Sequence, residues 1–139
     1  MQNSKAAVAW KLRTRTLDLT RPRIMGIVNV TPDSFSDGGE HATTEAAVAW
    51  GRKLAADGAD ILNDIRGFRE AGAPQAAAQS GCGLIVMHMQ GTPRTMQKAP
   101  SYTDLIGEVT DFLLSQEKVL LAAGADPAAV MFDPGFGFG

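Results

Sequence analysis

Four hydrophobic runs in this chain end on polar residues that could do chemistry. Asn29 follows Ile27-Val28, Asn63 and Asp64 follow Ile61-Leu62, His88 and Gln90 follow Leu84-Ile85-Val86, and Asp133 follows Val130-Met131-Phe132. Short, near-continuous apolar runs read as strands of a parallel sheet covered on both faces, and in a parallel α/β barrel function gathers at the carboxyl ends of the strands. One polar residue there is equally well a cap for the next loop; four together are better explained by a shared site. Asn29 is an uncharged oxygen ligand near Asp33 and Asp37, which suits a hard cation such as Mg²⁺ that keeps most of its waters and bridges to a substrate phosphate. Asn63 and Asp133 suit a flat heterocycle, the carboxylate accepting two N–H bonds from an amino-pyrimidine edge while the amide donates and accepts beside it. His88 reads as a base, a phosphate donor or a satisfied structural histidine, with the structural role favoured. The run Asp133-Pro134-Gly135-Phe136-Gly137-Phe138-Gly139 is a turn whose glycines would let the backbone approach a ligand, although taken alone a glycine-rich turn reads more readily as a plain loop. These residues point to a phosphate-bearing heterocyclic substrate; by themselves they do not reach the reaction.

The elements that must hold these groups alternate. A strand pair is expected between Val8 and Leu19, then strands over 24–30, 59–64, 83–88 and 129–133 with three helices between them, the order of an α/β protein with a parallel sheet. The first helix takes Thr43 or Thr44 as N-cap, sets Ala47, Trp50 and Leu54 on one face and ends at Gly58. The second is the alanine-rich run 71–79. The third opens on a capping box of Ser101 and Asp104, carries Leu105, Val109, Phe112, Leu113 and Leu120 as its apolar stripe, and ends at Gly124. Helical spacing alone accounts for Trp50, Phe112 and the leucines, so they are assigned to the core.

Composition narrows the class. The chain has 139 residues, 45% hydrophobic and 20% charged, with a net charge of −2, and its Lys and Arg are scattered; this is a globular composition without a nucleic-acid stripe. No apolar window is long enough for a membrane span, and the charged start lacks the apolar core of a signal peptide, so a cytoplasmic location is expected. The single cysteine, Cys82, sits among small residues and reads as a near-buried filler rather than a nucleophile.

Three segments resemble dihydropteroate synthase: Met25 to Gly39 with its Asn29 and Thr31-Pro32-Asp33-Ser34-Phe35, Ala59 to Gln90 with Asn63-Asp64-Ile65-Arg66 and Met87-His88-Met89-Gln90, and Val130 to Gly139. The resemblance implies a (β/α) TIM-barrel fold, here with about half of the eight units. It also implies a transferase of folate biosynthesis and target of sulfonamides, joining 6-hydroxymethyl-7,8-dihydropterin diphosphate to p-aminobenzoate with release of diphosphate. By position, Asn29 resembles the family's Mg²⁺ and diphosphate ligand, Asn63 and Asp133 its pterin contacts, and Met87 the side chain packing near the pterin. Thr31, Pro32, Asp33, Ser34 and Phe35 resemble its p-aminobenzoate loop. The family mechanism needs no protein nucleophile, and none is seen. The chain departs from the pattern where the first helix runs through Ala55-Ala56-Asp57-Gly58-Ala59-Asp60 straight into Asn63-Asp64-Ile65-Arg66, skipping two strands and their Ser-Thr-Arg-Pro and Asp-Thr features. Family members also continue past the glycine run. The expectation is a strand pair over 1–20 and a partial pterin-binding barrel domain over 21–139, internally deleted near 57–63 and truncated after 139. Such a chain should turn over weakly or not at all, bind small molecules rather than nucleic acid or membrane, and form a homodimer if it assembles. The alternative is a non-catalytic half-barrel that pairs its exposed edges with itself or with an intact synthase.

Overall fold

Short β-branched and leucine-rich runs separated by helices leave the chain few ways to pair, and it takes the simplest. In the computed structural model, which describes residues 8–29, 44–92 and 95–138, β1 (Ala9–Lys11) and β2 (Thr16–Asp18) form an antiparallel hairpin. A four-stranded parallel sheet follows, with β3 (Met25–Val28), β4 (Ile61–Asp64), β5 (Gly83–Met87) and β6 (Val130–Asp133) side by side in chain order. Helices α1 (Thr44–Ala56), α2 (Ala73–Ser80) and α3 (Leu105–Ala122) make the three crossovers. This is a (β/α) barrel arrangement left open: β3 and β6 are free edges, and no barrel closes among the described residues. The strands are shorter than the sequence suggests because the outermost residues pass into loops.

Alternation assigns the two faces. Gly26, Val28, Leu62, Asp64, Leu84 and Val86 point to the helices, where Leu62, Leu84 and Val86 pack with Phe68, Ala77, Cys82, Leu113 and Leu120. Met25, Ile27, Ile61, Asn63, Ile85, Met87, Met131 and Asp133 share the other face, the one a closed barrel would turn inward. The hairpin covers the amino end of that face, with Trp10, Leu12 and Leu17 packed against Ile61 and Ala129. Gly83 permits this, since a Cβ there would sit 2.6 Å from the Trp10 ring. Cys82 is the expected small buried residue, its thiol directed at the Ala59 carbonyl.

Two helix readings need correction. The cap of α3 is Asp104, which accepts from the Gly107 N–H at 3.0 Å, while Glu108 accepts from the Thr103 and Asp104 N–H groups; Ser101 instead exchanges backbone bonds with the Gln90 amide. Trp50 is 37% exposed rather than core, because α1 lies beside the sheet edge and its indole donates to the Ile27 carbonyl at 3.4 Å. Leu105, at the start of α3, is likewise exposed. Thr43, the other candidate cap of α1, lies outside the described residues.

Asp64 carries a pH prediction. Its carboxylate is buried beneath the β4–α2 turn and accepts from the Arg66 and Phe68 N–H groups, yet burial outweighs these bonds and raises its pKa. A raised carboxyl pKa means the folded state holds the proton more tightly than the unfolded chain. Asp64 therefore contributes a stability loss that grows as pH rises from the ordinary carboxylate range through the raised value. Melting temperature against pH should show this slope in the wild type, and Asp64→Asn should flatten it; an unchanged slope in the variant would assign it to another group.

Candidate functional site

Register decides which strand-end residues meet. Ile27, Asn63, Ile85 and Met131 lie in one row across the inward face, and Met87 pairs with Asp133 one pleat further toward the carboxyl ends. Asn29, the residue after β3, falls at that upper level and is exposed, with no hydrogen bond among the described residues. Asn29, Asn63, Met87 and Asp133 therefore do converge on one end of one sheet face. Between them lies an apolar floor of Ile65, Met87 and Met89, flanked by Met96 and Phe138. Sequence reasoning missed that floor except for Met87; the two-residue spacing of Met87 and Met89 is the signal that would have revealed it.

The polar atoms around this floor are unequally satisfied. Asp133 has one carboxylate oxygen held by the Gly135 N–H at 2.8 Å. The Asn63 side-chain oxygen is buried and has no partner among the described residues. An orphaned buried acceptor is costly, so its presence beside an apolar floor marks a place where a donor belongs. The donor set fits a magnesium ion only in part: the Asn29 amide oxygen is a suitable single ligand for a largely hydrated ion, and no group of three acidic or histidine ligands occurs among the described residues. Asp33 and Asp37, and with them the loop residues Thr31, Pro32, Ser34 and Phe35, lie outside the described residues.

The other strand-end groups do not join the site, so the shared-site reading is too broad. Asp64 and His88 alternate to the helix side, and Gln90 is taken up by Ser101. His88 is 5% exposed, packs edge-on to Phe112 with ring centroids 5.1 Å apart and near Tyr102, and leaves its Nδ1 without a partner, so it is structural but not satisfied. Burial, helped by the nearby Arg69 cation and opposed by the Pro134 carbonyl, pushes its pKa down and keeps the ring neutral at pH 7. The glycine turn packs as a plain loop. The close approach at Gly135, with φ of 67°, is to the His88 carbonyl oxygen, which a Cβ there would overlap, and not to a ligand.

A parallel sheet with an orphaned amide and a carboxylate around an apolar floor at its carboxyl ends has counterparts of known kind. The family model for pterin binding enzymes matches the chain over residues 25–62 and again over 54–139, and the chain belongs to that family. Its relatives there are dihydropteroate synthases. The synthase of Escherichia coli K12 is 34% identical over 89% of this chain, which spans 65% of that relative. Among solved structures, the Yersinia pestis synthase with a sulfonamide drug complex superposes with a TM-score of 0.68 at 32% identity, covering 94% of this chain and 69% of that one. The Xanthomonas albilineans synthase with 4-aminobenzoic acid gives 0.54 at 33% identity, covering 96% and 68%.

This chain is a partial, internally shortened member. The alignment with the E. coli synthase runs over 183 positions yet draws on 89% of 139 residues, about 124, so about 59 positions have no residue here. Residues 54–62 fall within both family matches. That stretch is the end of α1, the Gly58 turn and the start of β4, joined by ordinary local bonds: Ala59 N–H to the Leu54 carbonyl at 3.0 Å and Asp60 N–H to the Ile24 carbonyl at 2.8 Å. The Asp60 carboxylate also lies 3.5 Å from Arg15 and 3.8 Å from Arg23. The stretch shared by the two matches thus forms a well-formed βαβ connection.

Proposed function

We propose that this chain holds a pterin at the carboxyl end of its sheet and belongs to the folate-synthesis step that joins 6-hydroxymethyl-7,8-dihydropterin diphosphate to p-aminobenzoate. The observation that carries this reading is the buried, unpartnered Asn63 oxygen beside the Ile65, Met87 and Met89 floor. Asn63 and Asp133 bind the edge of the ring, the carboxylate accepting from its N–H groups, and Met87 packs on its face. Asn29 would hold Mg²⁺, which when bound neutralises charge on the departing diphosphate. The C–O bond from the pterin methylene to diphosphate breaks, the arylamine nitrogen bonds to that carbon, and its proton leaves to solvent. Polar groups around the ring stabilise the cationic carbon as charge develops. The loop 31–35 is proposed to carry p-aminobenzoate, and a cytoplasmic setting goes with the pathway.

The shortening weakens catalysis on this reading. β3 pairs directly with β4, so Asn29 and Asn63 stand on neighbouring strands that run about 4.8 Å apart, with Asn29 one pleat further toward the carboxyl end and no intervening unit to widen the pocket. A chromatographic assay with Mg²⁺, pterin diphosphate and p-aminobenzoate should give slow dihydropteroate formation that disappears in an Asn29→Ala, Asp133→Ala double variant. Equal product in both would remove these residues from the site. Pterin binding measured by calorimetry should fall in Asn63→Ala, and no binding by the wild type would end the proposal.

A second reading rests on the open edges. Ile24, Met25 and Ile27 at one edge and Met131 and Phe132 at the other are 40–65% exposed, a pattern that favours strand pairing with another copy. Four strands are half of the eight that close a barrel of this type. Sedimentation should then show mass rising with concentration, and Ile27→Lys with Met131→Lys should restore a monomer. A wild-type monomer at every concentration sinks it.

A further inference from the structure

We infer that the cavity bounded by Arg66, Arg69, Glu70, Met89, Gly91 and Thr92 is a phosphate-binding site, taking either the diphosphate released in the proposed reaction or a free phosphate. It has a volume of about 260 Å³ and lies between the turn after β4 and the loop after β5. That is the carboxyl end of the strands, where parallel α/β sheets bind their ligands. Met89 forms part of its wall and belongs also to the apolar floor, so the cavity adjoins the proposed ring site without using Asn63 or Asp133. Binding of an anion here does not depend on a pterin.

Charge selects the ligand. Arg66 pairs with one Glu70 oxygen at 2.6 Å, and the Thr44 hydroxyl donates to the other at 2.8 Å. The Thr44 bond and then the Arg66 bond hold the Glu70 carboxyl below its ordinary range, so it is ionised with a donor on each oxygen. Asp64, the other nearby acid, lies buried beneath the turn and accepts from the Arg66 and Phe68 N–H groups. Arg69 makes no ion pair among the described residues. Its Nε donates to the Arg66 carbonyl at 2.8 Å, a terminal nitrogen donates to the Gly91 carbonyl at 3.4 Å, and its guanidinium carbon lies 5.4 Å from the Phe112 ring centroid. These contacts tether the side chain at the cavity, yet carbonyls and a ring face supply no counter-charge, and a guanidinium has further N–H donors to give. Two guanidinium groups against one surface carboxylate leave the cavity positive. A phosphate supplies the missing charge, and its oxygens match the guanidinium fork.

Calorimetry with inorganic diphosphate and with inorganic phosphate, in the absence of Mg²⁺, tests the site in the wild type, Arg69→Gln and Glu70→Gln. Arg69→Gln removes the uncompensated charge and should weaken diphosphate binding about tenfold or more. Glu70→Gln keeps an oxygen for Thr44 and removes the competing carboxylate, so binding should tighten about threefold or more, a gain that a purely structural role for these residues does not produce. The ¹⁵N–¹H resonances of Gly91 and Thr92 should move as the wild type saturates. Tighter binding of diphosphate than of phosphate identifies the leaving group as the ligand; phosphate binding as tightly or tighter identifies a free phosphate. Overturning results are a wild type that binds neither anion, an Arg69→Gln that binds like the wild type, or a Glu70→Gln that binds no tighter. Should Arg69→Gln fail to fold, Glu70→Gln against the wild type decides. No pterin enters the experiment, so failure of the proposed function at the apolar floor is read separately from failure of this site.

Discussion

Asp133→Asn is expected to weaken pterin binding by about ten- to a hundredfold while leaving the fold in place. The substitution keeps the shape of the side chain and an oxygen to accept from the Gly135 N–H, so the turn after β6 should hold. What changes is the second position: a carboxylate oxygen that accepts becomes an amide that donates, facing the N–H edge of the ring. Hydrogen bonds to a charged partner are worth roughly 1.5–3 kcal/mol, and about 1.4 kcal/mol is a factor of ten. Calorimetry with pterin-6-carboxylate reads the loss directly, and thermal melting of the same sample shows whether the variant is folded. Equal affinity in a folded Asp133→Asn would take Asp133 out of the binding edge and leave Asn63 to make the polar contact with the ring.

The strand order and the convergence of Asn29, Asn63, Met87 and Asp133 were legible in the sequence because both follow from local pattern. A run such as Leu84-Ile85-Val86-Met87 after Gly83 cannot be much besides a buried strand, and chain order fixes the neighbours once each connection is a helix. The two faces were not legible. Near-continuous apolar runs hide which residues alternate inward, so Asp64 and His88 count among the strand-end groups of one shared site although register turns both to the helices, the side on which the structural role favoured for His88 lies. Trp50 failed for a related reason. Its spacing on α1 is that of a core residue, but α1 borders a free edge, and what covers a helix depends on strands the periodicity does not report. The shortening near Gly58 was visible as two similar segments collapsed into one, and residues 54–62 lie in both family matches.

Leu120→Ala should remove about 2–5 kcal/mol of folding stability. Leu120 on α3 is fully buried and packs in one cluster with Leu84 and Val86 of β5 and with Leu113 two turns back on the same face of the helix. Among the described residues the helices pack on one face of the sheet, and this cluster is its principal core. A domain of this size has roughly 5–15 kcal/mol in total, and an open barrel with two free edges has fewer contacts to spare than a closed one. Leu114→Ala and Val119→Ala, on the exposed side of the same helix at 41% and 45% exposure, should each change stability by about 0.5 kcal/mol or less. Urea denaturation of the three variants tests the packing of α3 on the sheet. A Leu120→Ala no weaker than the two surface variants would mean that α3 does not dock on β5.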